Sequence, residues 1–153
     1  MDESGEKWCM LIGFYAGVLG DKRRTAVPKK FLDELGEKAI LAKWYEDCLV
    51  LVSLSFWEKL LGRLTGEDMT LRLGVRDIER FILGSAFEVT PDNQGRIIIT
   101  EILAGFAGLE NELVFLGLGD RVEIWGRKIW EERAGKIAET TRDYIENLAK
   151  DGK

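Results

Sequence analysis

Sliding the chain on itself by 72 positions places Arg24 on Arg96, Val27 on Ile99 and Gly36 on Gly108. One added residue later, EDCLVLVSLSFWEKL lies over GDRVEIWGRKIWEER, so that Asp47 meets Asp120, Leu49 meets Val122, Leu51 meets Ile124 and Trp57 meets Trp130. Two copies of one module constrain the fold more than any composition does. A β-rich unit of about 45 residues buries too little surface to be stable alone, which predicts that the halves combine in one body.

Each copy reads in the same order. A short strand (RTAV, then RIIIT) leads to a short amphipathic helix (PKKFLDELG, then TEILAGFAG) and a strand (AILAKW, then ELVFLGL). A turn follows, then another strand (CLVLV, then RVEIW) and a helix near a tryptophan. Gly36 and Gly108 are placed to end their helices. Between the copies, residues 62–70 read as a loop or helix break. Beyond them Val75, Ile78, Phe81 and Ile82 mark one face of a helix, which also carries Arg72, Arg76 and Arg80. From Trp130 through Ala134, Ile137, Thr141 and Tyr144 to Leu148, steps of four and three predict a helix with a seam for the body or a neighbouring subunit.

Charge distribution then decides where recognition can sit. The formal net charge is -5, yet GDKRRTAVPKK concentrates Lys22, Arg23, Arg24, Lys29 and Lys30 within eleven positions. The loop before the first strand holds Lys22, Arg23 and Arg24 in one copy and Asp92, Asn93, Gln94 and Arg96 in the other. Arginine forks and polar amides on a turn reach phosphate oxygens and base edges. The competing explanation is structural, with Arg24 pairing to Asp21 and Arg96 to Asp92 merely to pin each turn.

Other chemistries find little support. Histidine is absent, which excludes serine-histidine and cysteine-histidine catalysis and imidazole zinc sites. Cys9 and Cys48 match no metal motif and no secreted disulfide framework, so a reduced cytoplasmic setting is expected. The start MDESGEKW is acidic and polar, unlike a signal peptide, and no apolar run is long enough to cross a bilayer. Glu58, Glu131 and Glu132 read as solvent-facing helix charge rather than acid and base, and the glycine signals match no nucleotide fingerprint. No enzyme, cofactor or metal is expected.

The marks MLIGFYAGVLGDKRRTAVPKKF, LGEKAIL, DCLVLVSLSFWEKL, RDIERFILGSAFEVTPDNQGRIIIT and AGLENELVFLGLGDRVEIWGRKIWEE together resemble the MraZ family of bacterial transcriptional regulators, over roughly Met10 to Glu131. The resemblance implies an α+β chain built from two SpoVT-AbrB-like swapped-hairpin modules forming a duplicated β-barrel, with short flanking helices and a C-terminal helix. It divides the chain into an extension (1–9), a first module (10–61), a connecting loop and helix (62–86), a second module (87–131) and a terminal helix and tail (132–153). It further implies binding to double-stranded DNA at repeated promoter boxes of cell-division and cell-wall genes, assembly into a ring-like homo-oligomer, and a nucleoid-associated cytoplasmic location. An alternative is a ring-forming scaffold with reduced DNA specificity.

The family's DNA-reading motif sets an aspartate four residues ahead of an arginine in each half. The second copy is intact, with Asp92 orienting Arg96 and Gln94 bonding to DNA or to the turn. In the first, Gly20 holds the aspartate position and Arg23 the glycine position, while Lys22 and Arg24 keep the basic ones; Thr100 replaces the proline that Pro28 retains. The implied DNA-contacting set is therefore Lys22, Arg23, Arg24, Asp92, Gln94 and Arg96. In the first turn, either Asp21 substitutes for the missing carboxylate or the turn takes a different shape.

Overall fold

The computed structural model describes residues 10–64 and 72–151. The first half runs β1 (Leu11–Val18), β2 (Arg24–Ala26), α1 (Lys29–Leu35), β3 (Ala39–Lys43), β4 (Leu49–Ser53) and α2 (Leu54–Leu64). The second runs α3 (Leu73–Ile82), β5 (Phe87–Val89), β6 (Arg96–Ile98), α4 (Glu101–Phe106), β7 (Glu112–Gly119), β8 (Val122–Gly126) and α5 (Arg127–Asp151). The architecture is α+β, as the resemblance implies, and every strand pair is antiparallel. Gly62, expected at a helix break, lies inside α2, and the rest of that predicted loop falls largely outside the described residues, as do Cys9 and the extension 1–9.

The two halves interleave. A six-stranded sheet has the order β1-β7-β8-β4-β3-β5, and β2 pairs with β6 in a separate ribbon. Thus β1 of the first half lies on β7 of the second, while β5 of the second lies on β3 of the first. The register obeys a two-fold relation: Leu49 faces Ile124 and Leu51 faces Val122, and the repeat exchanges these pairs. In the ribbon, Arg24 faces Ile98 and Ala26 faces Arg96 about a central Thr25–Ile97 pair. The equivalence of Leu41 with Phe115, opposite Phe87 and Tyr15 respectively, shows that the second half carries two extra residues before β7 and one fewer in its β7–β8 turn. The single added residue inferred from the sequence is this net difference.

The central strands β3, β4 and β8 are covered on both faces, which is why they read as nearly continuous apolar runs, whereas β1 is largely exposed. Ala39 and Leu41 point with Phe31, Leu51, Ile97, Ile99, Leu103 and Phe115 toward the ribbon, α1 and α4. Ile40 and Ala42 point with Val50, Ile82 and Trp125 toward α2, α3 and the start of α5. Burying Phe31 and Phe115 completely stabilises the fold by about 1.5–3 kcal/mol each. Thr100, the repeat counterpart of Pro28, caps α4 by accepting a bond from the Leu103 N–H at 3.3 Å. Of the seam predicted on α5, Trp130 packs on Trp125 and Phe14, whereas residues 135–151 are exposed.

Candidate nucleic-acid interface

The two turns that precede β2 and β6 share one hydrogen-bonded frame. Gly20 N–H donates to the Arg24 carbonyl at 2.8 Å, and Asp92 N–H to the Arg96 carbonyl at 2.9 Å. Arg23 N–H donates to the Gly20 carbonyl at 3.2 Å, and Gly95 N–H to the Asp92 carbonyl at 2.9 Å. Val27 N–H bonds the Gly95 carbonyl and Ile99 N–H the Arg23 carbonyl, tying each turn to the other half's strand. Two loops 72 positions apart are thereby held against one another.

Their interiors differ. In the second turn the Asp92 carboxylate accepts from the N–H groups of Gln94 and Arg96 through Oδ1 and from Arg96 Nε through Oδ2, each at 2.9 Å. The backbone bond from Arg96, then those from Gln94 and the guanidinium, hold the Asp92 carboxyl below the ordinary aspartate range. Asp92 and Arg96 are thus paired, as the orienting role and the turn-pinning explanation both require. The Gln94 side chain is exposed, and only its backbone takes part in the turn.

In the first turn no carboxylate is available at Gly20, and the Arg24 N–H donates instead to the Asp21 carbonyl. Closing the turn this way forms a 3₁₀ turn over Asp21–Arg23, with Lys22 and Arg23 both at φ 57°. Left-handed backbone costs a non-glycine residue about 1–2 kcal/mol, so the changed shape anticipated at Arg23 also extends to Lys22. Among the described residues Asp21 makes no ion pair with Arg24, so the proposed rescue by a shifted anchor does not occur. Arg23 is partly committed: its Nε donates to the Ile99 carbonyl at 3.0 Å. A Cβ on Gly95 would meet Leu32 Cδ1 at 2.8 Å, and the repeat counterpart of Leu32 is the smaller Ala104, so by repeat symmetry a side chain at position 23 meets less obstruction.

The ribbon sets the arginines side by side. Alternation turns Thr25 (1% exposed) and Ile97 (2%) into the core and leaves Arg24, Ala26, Arg96 and Ile98 on the outer face. Arg24 and Arg96 occupy one diagonal of that four-residue face, about 7–8 Å apart at Cα for diagonal cross-strand neighbours. Lys22 and Arg23 lie on the adjoining turn, exposed. Ala26 and Ile98 escaped the sequence reading; strand alternation through buried Thr25 and Ile97 was the available signal.

Among the described residues no group of three or more His, Cys, Asp or Glu is placed to hold a metal ion, and no helix is long and apolar enough to cross a membrane. The buried Cys48 thiol is pushed up strongly by desolvation, then by Glu123, Glu46 and Asp47, the opposite of an activated thiolate.

Comparison with known proteins settles the lineage. Residues 82–151 match the family model described as "MraZ protein, putative antitoxin-like". A protein of Thermoanaerobacter sp. (strain X514) is 36% identical over 139 residues, spanning 91% of this chain and 96% of its own length. One of Leuconostoc citreum is 37% identical over 142 residues, again 91% and 96%. One of Acetivibrio thermocellus is 36% identical over 140 residues, 92% and 97%. The chain belongs to the MraZ family. Each of these MraZ relatives bears the name "Transcriptional regulator MraZ", which names a regulator and no enzymatic reaction. The MraZ model alone falls on the second half with α5, whereas the MraZ relatives span both turns.

Proposed function

We propose that this chain is a sequence-specific DNA-binding transcriptional regulator, acting as a homo-oligomer on repeated promoter boxes of cell-division and cell-wall genes within the nucleoid-associated cytoplasm. The observation that carries this reading is the shared outer face of the β2–β6 ribbon, where Arg24 and Arg96 stand together in front of a buried Thr25–Ile97 pair. A two-stranded ribbon fits the major groove, and arginine presents a fork to the guanine edge. Arg96, aligned by Asp92, reads a base; Arg24 contacts a base or the backbone; Lys22 and the free end of Arg23 neutralise phosphate; Gln94 bonds to DNA from the turn. The exchanged strands and two-fold register support reading residues 10–61 and 87–131 as two swapped-hairpin modules, joined by 62–86 and flanked by 132–153.

Self-association is supported by exposed apolar surface. Ile12, Phe14 and Val18 on β1, and Tyr144, Ile145 and Leu148 on α5, are exposed. With a net charge of -5, one subunit meets a duplex against an unfavourable field, and repeated presentation in a ring restores affinity through avidity. If about four phosphates are neutralised per subunit, the logarithm of affinity falls with that of salt at a slope of about -3.6. Footprinting with the wild type and an Arg24→Ala/Arg96→Ala protein tests the reading. Sequence-selective protection by the first, lost in the folded second, is expected. The absence of Asp at Gly20 favours one second reading, a ring-forming scaffold with reduced DNA specificity; a wild type that protects no sequence selectively establishes it over the regulator.

A further inference from the structure

Besides its arginines, the outer face of the ribbon carries Ala26 and Ile98 on the opposite diagonal, and Ile98 is 52% exposed. The face is nearly two-fold about the Thr25–Ile97 pair: Arg24 and Arg96 exchange, but Ile98 exchanges with Ala26. One side thus projects a branched four-carbon side chain where the other ends at a single methyl. We propose that Ile98 is a specificity-determining residue that packs on the C5-methyl of a thymine and makes the recognised step non-palindromic. This rests on the DNA-binding reading above and adds to it the chemistry of one base.

The placement is suited to that contact. The thymine methyl is the one apolar group that a base edge offers in the major groove. Ile98 lies two residues from Arg96 along β6, about 6.6 Å at the strand rise and comparable with two base steps, so an arginine–guanine contact brings the isoleucine onto a base about two steps away. Ile98 is also directly opposite Arg24, the arginine without an aligning carboxylate. A face with perfect two-fold symmetry would meet a duplex equally in both directions. The Ile98–Ala26 difference adds to the unlike turns in removing that degeneracy.

Uracil scanning provides the test. A preferred box is first selected from random duplexes with the wild-type chain, and each thymine is then replaced singly by deoxyuridine, which loses the methyl and keeps the pairing edge. One position is expected to weaken wild-type binding about fourfold, the equivalent of one buried methyl group. The Ile98→Ala protein is expected to bind thymine and uracil alike there, and Ile98→Val to keep a preference in the same direction. A box whose thymines all tolerate uracil, or an Ile98→Ala protein with the wild-type ratio, overturns the inference while leaving DNA binding intact. Recovery of no preferred sequence overturns both the regulator and this contact.

Discussion

Restoring the missing carboxylate by Gly20→Asp is predicted to stabilise the protein and to couple to Arg24. Gly20 has φ -92° and ψ -161°, extended backbone open to any residue, and a Cβ there would stand 3.5 Å from the Arg24 carbonyl oxygen, an ordinary contact. Replacing glycine at a compatible position gains about 0.4–1 kcal/mol by restricting the unfolded chain. A side-chain bond to a turn N–H adds about 0.5–1.5 kcal/mol, and an exposed ion pair with Arg24 about 0.2–1 kcal/mol. Arg24 N–H already has the Asp21 carbonyl as a partner, and Asp21 repels a second carboxylate beside it, which offsets part of the gain. A net of about 1–2 kcal/mol corresponds to a rise in Tm of about 2–8 °C in a domain of this size. Calorimetric melts of Gly20→Asp, Arg24→Ala and the double variant provide the assay. If Gly20→Asp melts no higher than the wild type, or its gain survives unchanged in Arg24→Ala, the argument that this carboxylate is what the first turn lacks is wrong.

Thr25→Val should stabilise the fold by about 1 kcal/mol, because the Thr25 hydroxyl is buried without a partner and the swap keeps its shape; a thermal melt checks this, and a lower Tm contradicts it. Gly117→Ala should destabilise by about 1–3 kcal/mol or more, since its Cβ would fall 2.6 Å from the Leu11 carbonyl carbon and 2.7 Å from the Ile12 nitrogen of β1; denaturant titration measures the loss. Burial raises the Glu123 carboxyl, outweighing the Trp125 bond and Arg121, so ionising it opposes folding. Stability therefore falls as pH rises from the ordinary glutamate value through the raised folded one; Glu123→Gln should melt higher at neutral pH, with the gap closing in acid, and a pH-independent gap refutes the assignment.

Local signals carried most of the elements. Gly36 and Gly108 adopt positive φ just beyond α1 and α4, and Ile78, Phe81 and Ile82 on the marked face of α3 pack on the sheet, with Val75 buried as well. What remained hidden was nonlocal. β1 alternates poorly as LIGFYAGV, with two glycines, and its eight pairs are all made with β7, about a hundred residues away. Gly13 and Gly117 face each other there, a close backbone approach that neither segment reveals alone. The exposed end of α5 was equally illegible, because a heptad seam specifies that a helix has a partner and not which chain supplies it.

The two turns show how a motif can lose its marker residue and keep its frame. Closing the loop requires the Arg24 or Arg96 N–H to find an acceptor, since an unmet backbone donor is costly. Asp92 supplies one from its side chain and leaves glycine as the positive-φ residue. Without that carboxylate the acceptor becomes the Asp21 carbonyl, reached by turning Lys22 and Arg23 left-handed, and the Arg23 side chain then bonds Ile99 across the repeat boundary. The backbone bonds that hold the turns together survive, while the arginine loses its alignment in one copy and keeps it in the other. If the proposed DNA binding holds, recognition should concentrate on the base that meets Arg96, with the Arg24 side contributing charge and position.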